Sequence, residues 1–376
     1  MTKTLLSGLD EAAFLRRHWQ KKPLLARQAL PDYAGLLTRD MLFKLAARDD
    51  VQSRLVIRSR GRWRVEHGPF VKRDFARLPK TGWTLLVQGV NHVLPEAQEL
   101  LLNFAFVPYA RLDDVMISYA PPGGGVGPHF DSYDVFLLQL AGTRRWQVSA
   151  QRDLSLVENA PLRILRRFRP QREWLLAPGD MLYLPPRYAH DGTAVDDCVT
   201  CSIGFRAPGA QELGMRFLEF LQDRLALQGM YRDPDLTPQQ HPAQIGSPML
   251  RQMQRMIGRI RWRGRDVAQF AGQYLTEPKP HVVFERPRQP LTPAAFANRA
   301  ARHGVRLALK TQMLCRGRQL FINGECGEAG KEAARILLRL ADRRRLPPRS
   351  AIGGEAGRWL YQWYRAGYIE LDRGRP

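Results

Sequence analysis

The spacing of hydrophobic positions changes period twice along the chain. Residues 1–50 hold short helical patterns separated by Pro and Gly. Asp10 precedes an apolar-periodic run (Ala12, Ala13, Phe14, Leu15, Trp19), which predicts a capped helix there. From about Val51 to Arg206, short β-rich runs alternate with turn signals. Residues 83–90, 115–120, 134–142, 144–150, 181–185 and 198–205 read as strands, and the Pro/Gly-rich stretches 121–125 and 177–180 as turns. Many short strands with such punctuation predict a sandwich or barrel. The helical period returns over 210–232, where Leu213, Phe217, Phe220, Leu221 and Leu225 form one apolar stripe. A Pro-rich break at 233–248 leads into a second amphipathic segment starting near Met249 and carrying Arg251, Arg255, Arg259, Arg261, Arg263 and Arg265. After an extended stretch at 277–290, the remainder predicts a hairpin at 313–324, helices at 328–345 and around 359–364, and a terminal strand at 368–371. Helices and short strands in about 90 residues suit a winged-helix module. The expected architecture is α+β in three parts: a β-rich domain with N-terminal helices (1–208), a helical region (209–276) and a basic winged-helix-like domain (277–376).

Composition narrows the function. The 376 residues are 44% hydrophobic and 25% charged, which excludes general disorder. Lys and Arg number 58 against 36 Asp and Glu, a net charge of +22 that predicts polyanionic partners. Residues 286–376 hold 19 basic and 7 acidic side chains, more than half of the excess, so the basic partner surface is expected to be C-terminal. No run approaches the ~18 uninterrupted apolar residues that span a bilayer. The N-terminal segment carries acidic residues and Arg where a signal peptide would be apolar. Four Cys in a chain of this length do not make a disulfide framework. The chain therefore reads as cytoplasmic.

The chemistry centres on GVGPHFDSYDVF. His129 and Asp131 stand two apart, so on extended backbone both point to one side. A second imidazole, His190, follows the turn and strand of PGDMLYLPPRYAH. Two His and one carboxylate on one face of an octahedron are the ligand set of non-heme Fe(II) oxygenases, with positions left open for a bidentate cosubstrate and dioxygen. Arg144, in AGTRRW, could grip the distal carboxylate of 2-oxoglutarate through a two-pronged pair. Arg145 alternates to the opposite face. Met116, Ser118 and Ala120 share a face, so Ser118 could add a hydroxyl to the same carboxylate. A lone H-x-D is weak, but its Gly-rich turn, following strand, basic residue and late P-G-D…H turn are specific together.

FLRRHWQKKPLLARQA, SYAPPGGGVGPHFDSYDVFLLQLAGTRRW, APGDMLYLPPRYAHDG and CSIGFRAP together resemble the cupin-like JmjC family of ribosomal oxygenases, over roughly residues 14–208. Within it they are most similar to the bacterial branch that hydroxylates an arginine of a large-subunit ribosomal protein. Many JmjC relatives carry Lys where this chain has Arg144, which also favours that branch. The resemblance implies a double-stranded β-helix core, a helical dimerisation region giving a homodimer, and a C-terminal winged-helix domain. It implies Fe(II) held by His129, Asp131 and His190, and 2-oxoglutarate held by Arg144 and Ser118. The implied reaction uses dioxygen, hydroxylates the arginine β carbon, and yields succinate and CO2.

An arginine-binding pocket needs a carboxylate and aromatic walls. Asp113, Asp114, Tyr119, Tyr133 and Asp134 lie near the motif, and the sequence does not rank them. Cys198-V-T-Cys201 reads as two small buried strand residues facing opposite sides, not a zinc site. His18, His67, His92, His241, His281 and His303 lack metal-like spacing. The Arg251–265 stretch suits a solvated or dimer-facing helix as well as a nucleic-acid contact. Two other readings compete with the oxygenase. A basic nucleic-acid- or ribosome-binding protein on a silent barrel would explain the charge but not the four site residues together. A metal cupin of other chemistry would favour more His ligands. The C-terminal charge is expected to touch ribosomal RNA.

Overall fold

The computed structural model describes residues 5–59, 61–350 and 352–372. Compactness divides the chain into two units. One comprises Met1–Ala207, Pro278–Thr311 and Arg335–Pro376; the other comprises Pro208–Glu277 and Gln312–Ala334.

The first unit is built on strands β1 (Leu24–Ala26), β2 (Ser53–Ser59), β3 (Arg62–His67), β4 (Trp83–Val87), β5 (Leu112–Ala120), β6 (Val135–Ala141), β7 (Arg144–Ser149), β8 (Arg172–Leu176), β9 (Met181–Leu184), β10 (Ala189–Ala194) and β11 (Cys198–Phe205). They form an eight-stranded sheet, β1-β9-β6-β11-β5-β4-β2-β3, and a three-stranded sheet, β10-β7-β8. The pairings around the site are antiparallel, as expected for a double-stranded β-helix. Alternation along each strand decides the layers. In β11, Cys201, Ile203 and Phe205 face a core shared with the N-terminal helices. Thr200 and Ser202 face the other way, into a cavity between the sheets. Cys198 joins a small cluster with Ala120 and Ala194, so the two cysteines do lie on opposite sides.

The covering helices are α1 (Glu11–Arg17), α2 (Arg39–Ala46), α3 (Lys72–Ala76) and α4 (Pro95–Leu102). The Asp10 carboxylate accepts the Ala13 N–H at 2.6 Å, the cap that the sequence predicts. Phe14 is fully buried and meets Tyr183 edge-on at 5.0 Å and Phe136 at 5.6 Å, which ties α1 to β9 and β6.

The rest of the first unit includes α8 (Pro293–His303), α10 (Gly354–Ala366) and a three-stranded sheet in which β12 (Val305–Leu307) lies between β16 (Arg345–Leu346) and β17 (Ile369–Leu371). Phe296 stacks on Tyr364 at 4.9 Å and Trp363 is buried. Gly304 has φ +81°, and a Cβ there would come within 2.3 Å of the Leu346 carbonyl, so only glycine fits.

The second unit holds α5 (Ala210–Gln222), α6 (Ser247–Ile257), α7 (Gly264–Thr276) and the sheet β13 (Met313–Arg316), β14 (Gln319–Ile322), β15 (Glu325–Glu328). Phe217 and Phe220 pack against Phe270 at 5.2 and 5.6 Å. Gly272 lies flat on Phe321, where a Cβ would approach the ring to 2.4 Å. Helix α9 (Lys331–Arg343) follows in the chain.

Two helical expectations need correction. The stripe predicted over 210–232 stops at Gln222, and Leu225 lies beyond it, exposed. The arginine-rich stretch is not one helix. Gly258 ends α6, and the Asp266 carboxylate accepts the Arg263 N–H at 2.6 Å to start α7. Local capping overrides a charge pattern that looks continuous.

His92 gives the first unit a pH dependence. It sits half-buried, and burial with the nearby Lys279 and His281 pushes its pKa down to about 4. Between pH 6.5 and 4 the unfolded chain takes up this proton and the folded chain does not, so stability falls as pH falls through that window. The expected loss is about 2–3 kcal/mol. Urea midpoints measured from pH 7.5 down to 4.5 should show it, and His92→Gln should remove that share of the slope. An unchanged slope in the variant would rule this histidine out as the cause.

Candidate active site

The site grows from a pair of hydrogen bonds. His129 and His190 form an isolated antiparallel bridge, with His129 N–H to His190 O at 2.9 Å and the reverse bond at 2.8 Å. Each ring is then oriented from below. His129 Nδ1 lies 2.9 Å from the Gly127 carbonyl, and His190 Nδ1 lies 2.9 Å from the Tyr188 carbonyl. A ring nitrogen facing a carbonyl must carry the proton, so both Nε2 lone pairs are free to bind a metal. The rings stand 4.2 Å apart by centroid. His190 is buried, and burial together with the His129 ring pushes its pKa down to about 4, which keeps it neutral at physiological pH. Asp131 follows on the same side, with its carboxylate 3.7 Å from His190 Nε2. One ligand atom from each of the three residues lies within 4.8 Å of the others, and no other such group occurs among the described residues. The donor set, two imidazoles and one carboxylate on adjoining backbone, is suited to Fe(II) with open coordination positions.

Arg144 enters from β7. Pairing with β10 sets Arg144 opposite Ala194 and Trp146 opposite Gly192, so Arg144, Trp146 and Val148 face inward while Arg145 is exposed. The Arg144 guanidinium is buried. It donates to the Gly192 carbonyl at 3.0 Å, to Thr200 Oγ1 at 3.3 Å and, at 3.5 Å, to Ser118 Oγ. Its Nε has no partner, and it makes no ion pair among the described residues. Burial lowers its pKa. A buried cation without a counter-charge is costly unless a ligand supplies one. That deficit fits the distal carboxylate of a diacid. Gly192 makes the room: a Cβ there would stand 2.6 Å from the Trp146 ring and 2.9 Å from Arg144 Nε. The hydroxyl of Thr200 is in turn fixed by donating to Gln139 Oε1 at 2.9 Å.

These groups line a cavity of about 400 Å³. Away from Arg144 its wall carries Asp113, Asp114, Gln88 and Tyr133. Gln88 Nε2 donates to Asp114 at 2.6 Å, and Lys279 Nζ reaches Asp113 at 3.1 Å and Asp114 at 3.5 Å. Arg206 pairs with Asp113 at 3.3 Å. Burial and the neighbouring Asp113 raise the Asp114 pKa, opposed by Lys279. Burial and the Asp131 carboxylate likewise raise that of Tyr133.

The structure separates the five pocket candidates. Asp113, Asp114 and Tyr133 line the cavity. Asp134 is wholly buried elsewhere, accepting from Tyr183 OH at 2.6 Å, Gln20 at 3.0 Å and Arg111 at 3.4 Å. Tyr119 faces the helical core, packed on Phe43 and Trp83. Strand alternation puts both on the wrong side. Thr200, Gly192, Trp146 and Lys279 were not singled out from the sequence. Thr200 and Ser202 had a signal, as alternate polar positions inside an apolar strand. Lys279 had none, being 165 residues from Asp114.

The fold and this site define a JmjC-type oxygenase of the cupin-like class. The JmjC domain family matches residues 99–213, and the ROXA-like winged-helix family matches residues 259–370. The chain is 34% identical over 316 residues to the ribosomal protein uL16 3-hydroxylase of Escherichia coli, covering 83% of this chain and 84% of that protein. It is 42% identical over 228 residues to a probable ribosomal oxygenase of Haemophilus influenzae, 59% of this chain and 54% of the other. The X-ray structure of E. coli YcfD superposes with a TM-score of 0.85 at 31% identity, over 96% of this chain and 98% of that one. The structure of YcfD in complex with cobalt and 2-oxoglutarate superposes at 0.82, with 31% identity and coverage of 96% and 98%. The chain belongs to the ribosomal oxygenase family. No helix among the described residues is long and apolar enough to cross a membrane.

Proposed function

We propose that this chain is an Fe(II)- and 2-oxoglutarate-dependent dioxygenase that hydroxylates the β carbon of an arginine in a large-subunit ribosomal protein. The observation that carries the reading is the single cavity joining His129, Asp131 and His190 to the unpaired Arg144 at one end and to Asp113 and Asp114 along its wall. The names of the E. coli relative and of its cobalt and 2-oxoglutarate complex support it.

In this reading His129, Asp131 and His190 hold the metal, and Arg144 with Ser118 and Thr200 grips the diacid. With Fe(II) held there, the site would support reduction of dioxygen coupled to oxidative decarboxylation of 2-oxoglutarate, one oxygen entering succinate, the other the substrate C–H bond, and CO2 leaving. The protein's own work is positioning and exclusion of water. Gly127 and Tyr188 carbonyls fix both imidazole tautomers. Val135, Leu137 and Trp146 line the cavity with apolar surface. Asp113 and Asp114 offer carboxylates to the substrate guanidinium, with Tyr133 beside them. Lys279 and Arg206 balance that acidic pair before substrate arrives.

The test is incubation of the protein with Fe(II), 2-oxoglutarate and a uL16 fragment. One added oxygen on an arginine, matched by one succinate, is expected by mass spectrometry. Succinate without an oxidised arginine would overturn the substrate assignment. Asp114→Asn keeps shape but removes charge, and should raise the KM for the fragment about 10- to 100-fold. The KM for 2-oxoglutarate should stay unchanged, because Arg144 is untouched. Equal shifts in both constants would place Asp114 outside substrate recognition.

The same reading includes a homodimer formed through 209–276, supported by exposed Met215, Leu218, Leu250, Met253 and Ile257 on α5 and α6. It also includes a cytoplasmic location, and contact of the basic C-terminal region (277–376) with ribosomal RNA, supported by the 19 basic residues of 286–376.

A further inference from the structure

Between β7 and β8 the chain leaves the small sheet for about twenty residues. This excursion, Ala150 to Arg172, carries six arginines (Arg152, Arg163, Arg166, Arg167, Arg169 and Arg172) against two acids, Asp153 and Glu158. All six are exposed. Arg166 pairs with Glu158 at 2.8 Å, and the Arg163 guanidinium lies 5.0 Å over the Phe130 ring. Arg152, Arg167, Arg169 and Arg172 make no ion pair among the described residues.

The excursion is held firmly beside the active site. Gln171 N–H donates to Val148 O at 2.9 Å, Val157 N–H to Ile164 O at 2.8 Å, and Arg166 N–H to Ser155 O at 2.8 Å. Leu165 N–H donates to the carbonyl of Pro128, the residue before His129, at 2.8 Å. Ile164 and Leu165 are buried, while Leu162, Arg163 and Ile164 line the cavity. Ile164 and Leu165 therefore turn inward and the guanidinium groups outward, with Val157 exposed. Beside Asp131 stands exposed Arg187, whose N–H donates to Asp131 O at 2.7 Å and which makes no ion pair among the described residues.

The result is a cavity with an acidic wall and a cationic rim. The wall suits a guanidinium, but the rim repels the rest of a basic ribosomal protein, and so does the net charge of +22. Both conflicts vanish if the target arginine arrives beside phosphates. We infer that the 150–172 excursion is a contact surface for the phosphate backbone of RNA, so that the enzyme engages its substrate protein in the company of RNA. Exposed guanidinium forks bind phosphates bidentately. A membrane surface is the poorer fit, because insertion needs a broad outward apolar face and Val157 is the one large apolar side chain of this excursion that is exposed rather than buried or half-buried. The inference rests on the ribosomal reading for the source of the RNA, but its assay needs no turnover.

Binding of the full-length protein to a short labelled RNA duplex is measured by anisotropy between about 50 and 200 mM salt. The variant R166E/R167E/R169E, remote from the cavity lining, should lose at least about tenfold in affinity, and its salt slope should fall by about 2 to 3. The neutral set R166Q/R167Q/R169Q should lose less, in the same direction. Hydroxylation of the free uL16 fragment should not fall in either variant, since less cationic charge at the rim repels it less, which separates this inference from the assignment of the reaction. Equal RNA binding by wild type and both variants would overturn it. So would loss of binding confined to the C-terminal variant R299E/R302E/R358E, or binding of phosphatidylserine vesicles but not of RNA.

Discussion

Replacing His129 by Ala is expected to lower coupled production of succinate and hydroxyarginine by at least about 1000-fold, equivalent to about 4 kcal/mol of barrier. The magnitude follows from the geometry. In the proposed site three side chains would provide the whole protein share of the coordination sphere, and their ligand atoms lie within 4.8 Å of one another. Removing one leaves two donors that cannot define a face. Groups that act as a unit fail together, so Asp131→Asn, which keeps the shape and loses the charge, should fall nearly as far. Neither change should cost much stability, because His129 and Asp131 are only half-buried and each leaves the backbone bridge to His190 in place. The check is succinate release in parallel with thermal melting. A folded His129→Ala protein retaining more than about a tenth of wild-type turnover would sink the assignment of all three residues.

Arg144→Met should separate binding from stability. The KM for 2-oxoglutarate is expected to rise by about 100-fold or more, since a buried guanidinium–carboxylate pair loses about 3–5 kcal/mol when one partner is removed. Without the diacid the sign reverses. Wild-type Arg144 is buried with an orphaned Nε and no ion-pair partner among the described residues, so taking the cation out relieves desolvation. The loss of its bond to the Gly192 carbonyl, and of the longer ones to Thr200 and Ser118, offsets part of that gain. The variant should therefore melt slightly higher than wild type in buffer. In saturating 2-oxoglutarate the order should reverse, because ligand binding stabilises only the protein that binds it. Melting curves that do not cross, with a KM within about twofold of wild type, would remove Arg144 from the diacid site.

Much of the fold was legible because β alternation and turn chemistry are local. The strand read at 198–205 coincides with β11, and those at 144–150 and 181–185 end within one residue of β7 and β9. Less was legible where pairing, not propensity, makes the strand. The AHDGTA of β10 holds Gly and Asp, both poor strand formers, and is extended because β7 supplies its partners from Ser149 to Arg144. Helix ends were missed at Gln222 and Gly258 for a related reason: a cap is decided by one or two hydrogen bonds that a periodic stripe does not register.

The site divides along the same line. His129 and Asp131 point together because they are two apart on extended chain, and Arg144 faces in where Arg145 faces out. Those facts needed only the order of residues. The choice of Asp113 and Asp114 over Asp134, the tethering of both by Lys279, and the closeness of an arginine-rich excursion to His129 came from sheet register and chain packing. Residue order dictates which way neighbours point relative to each other. Which distant segments they then meet depends on long-range pairings, whose energies are shared across the whole core and written at no single position.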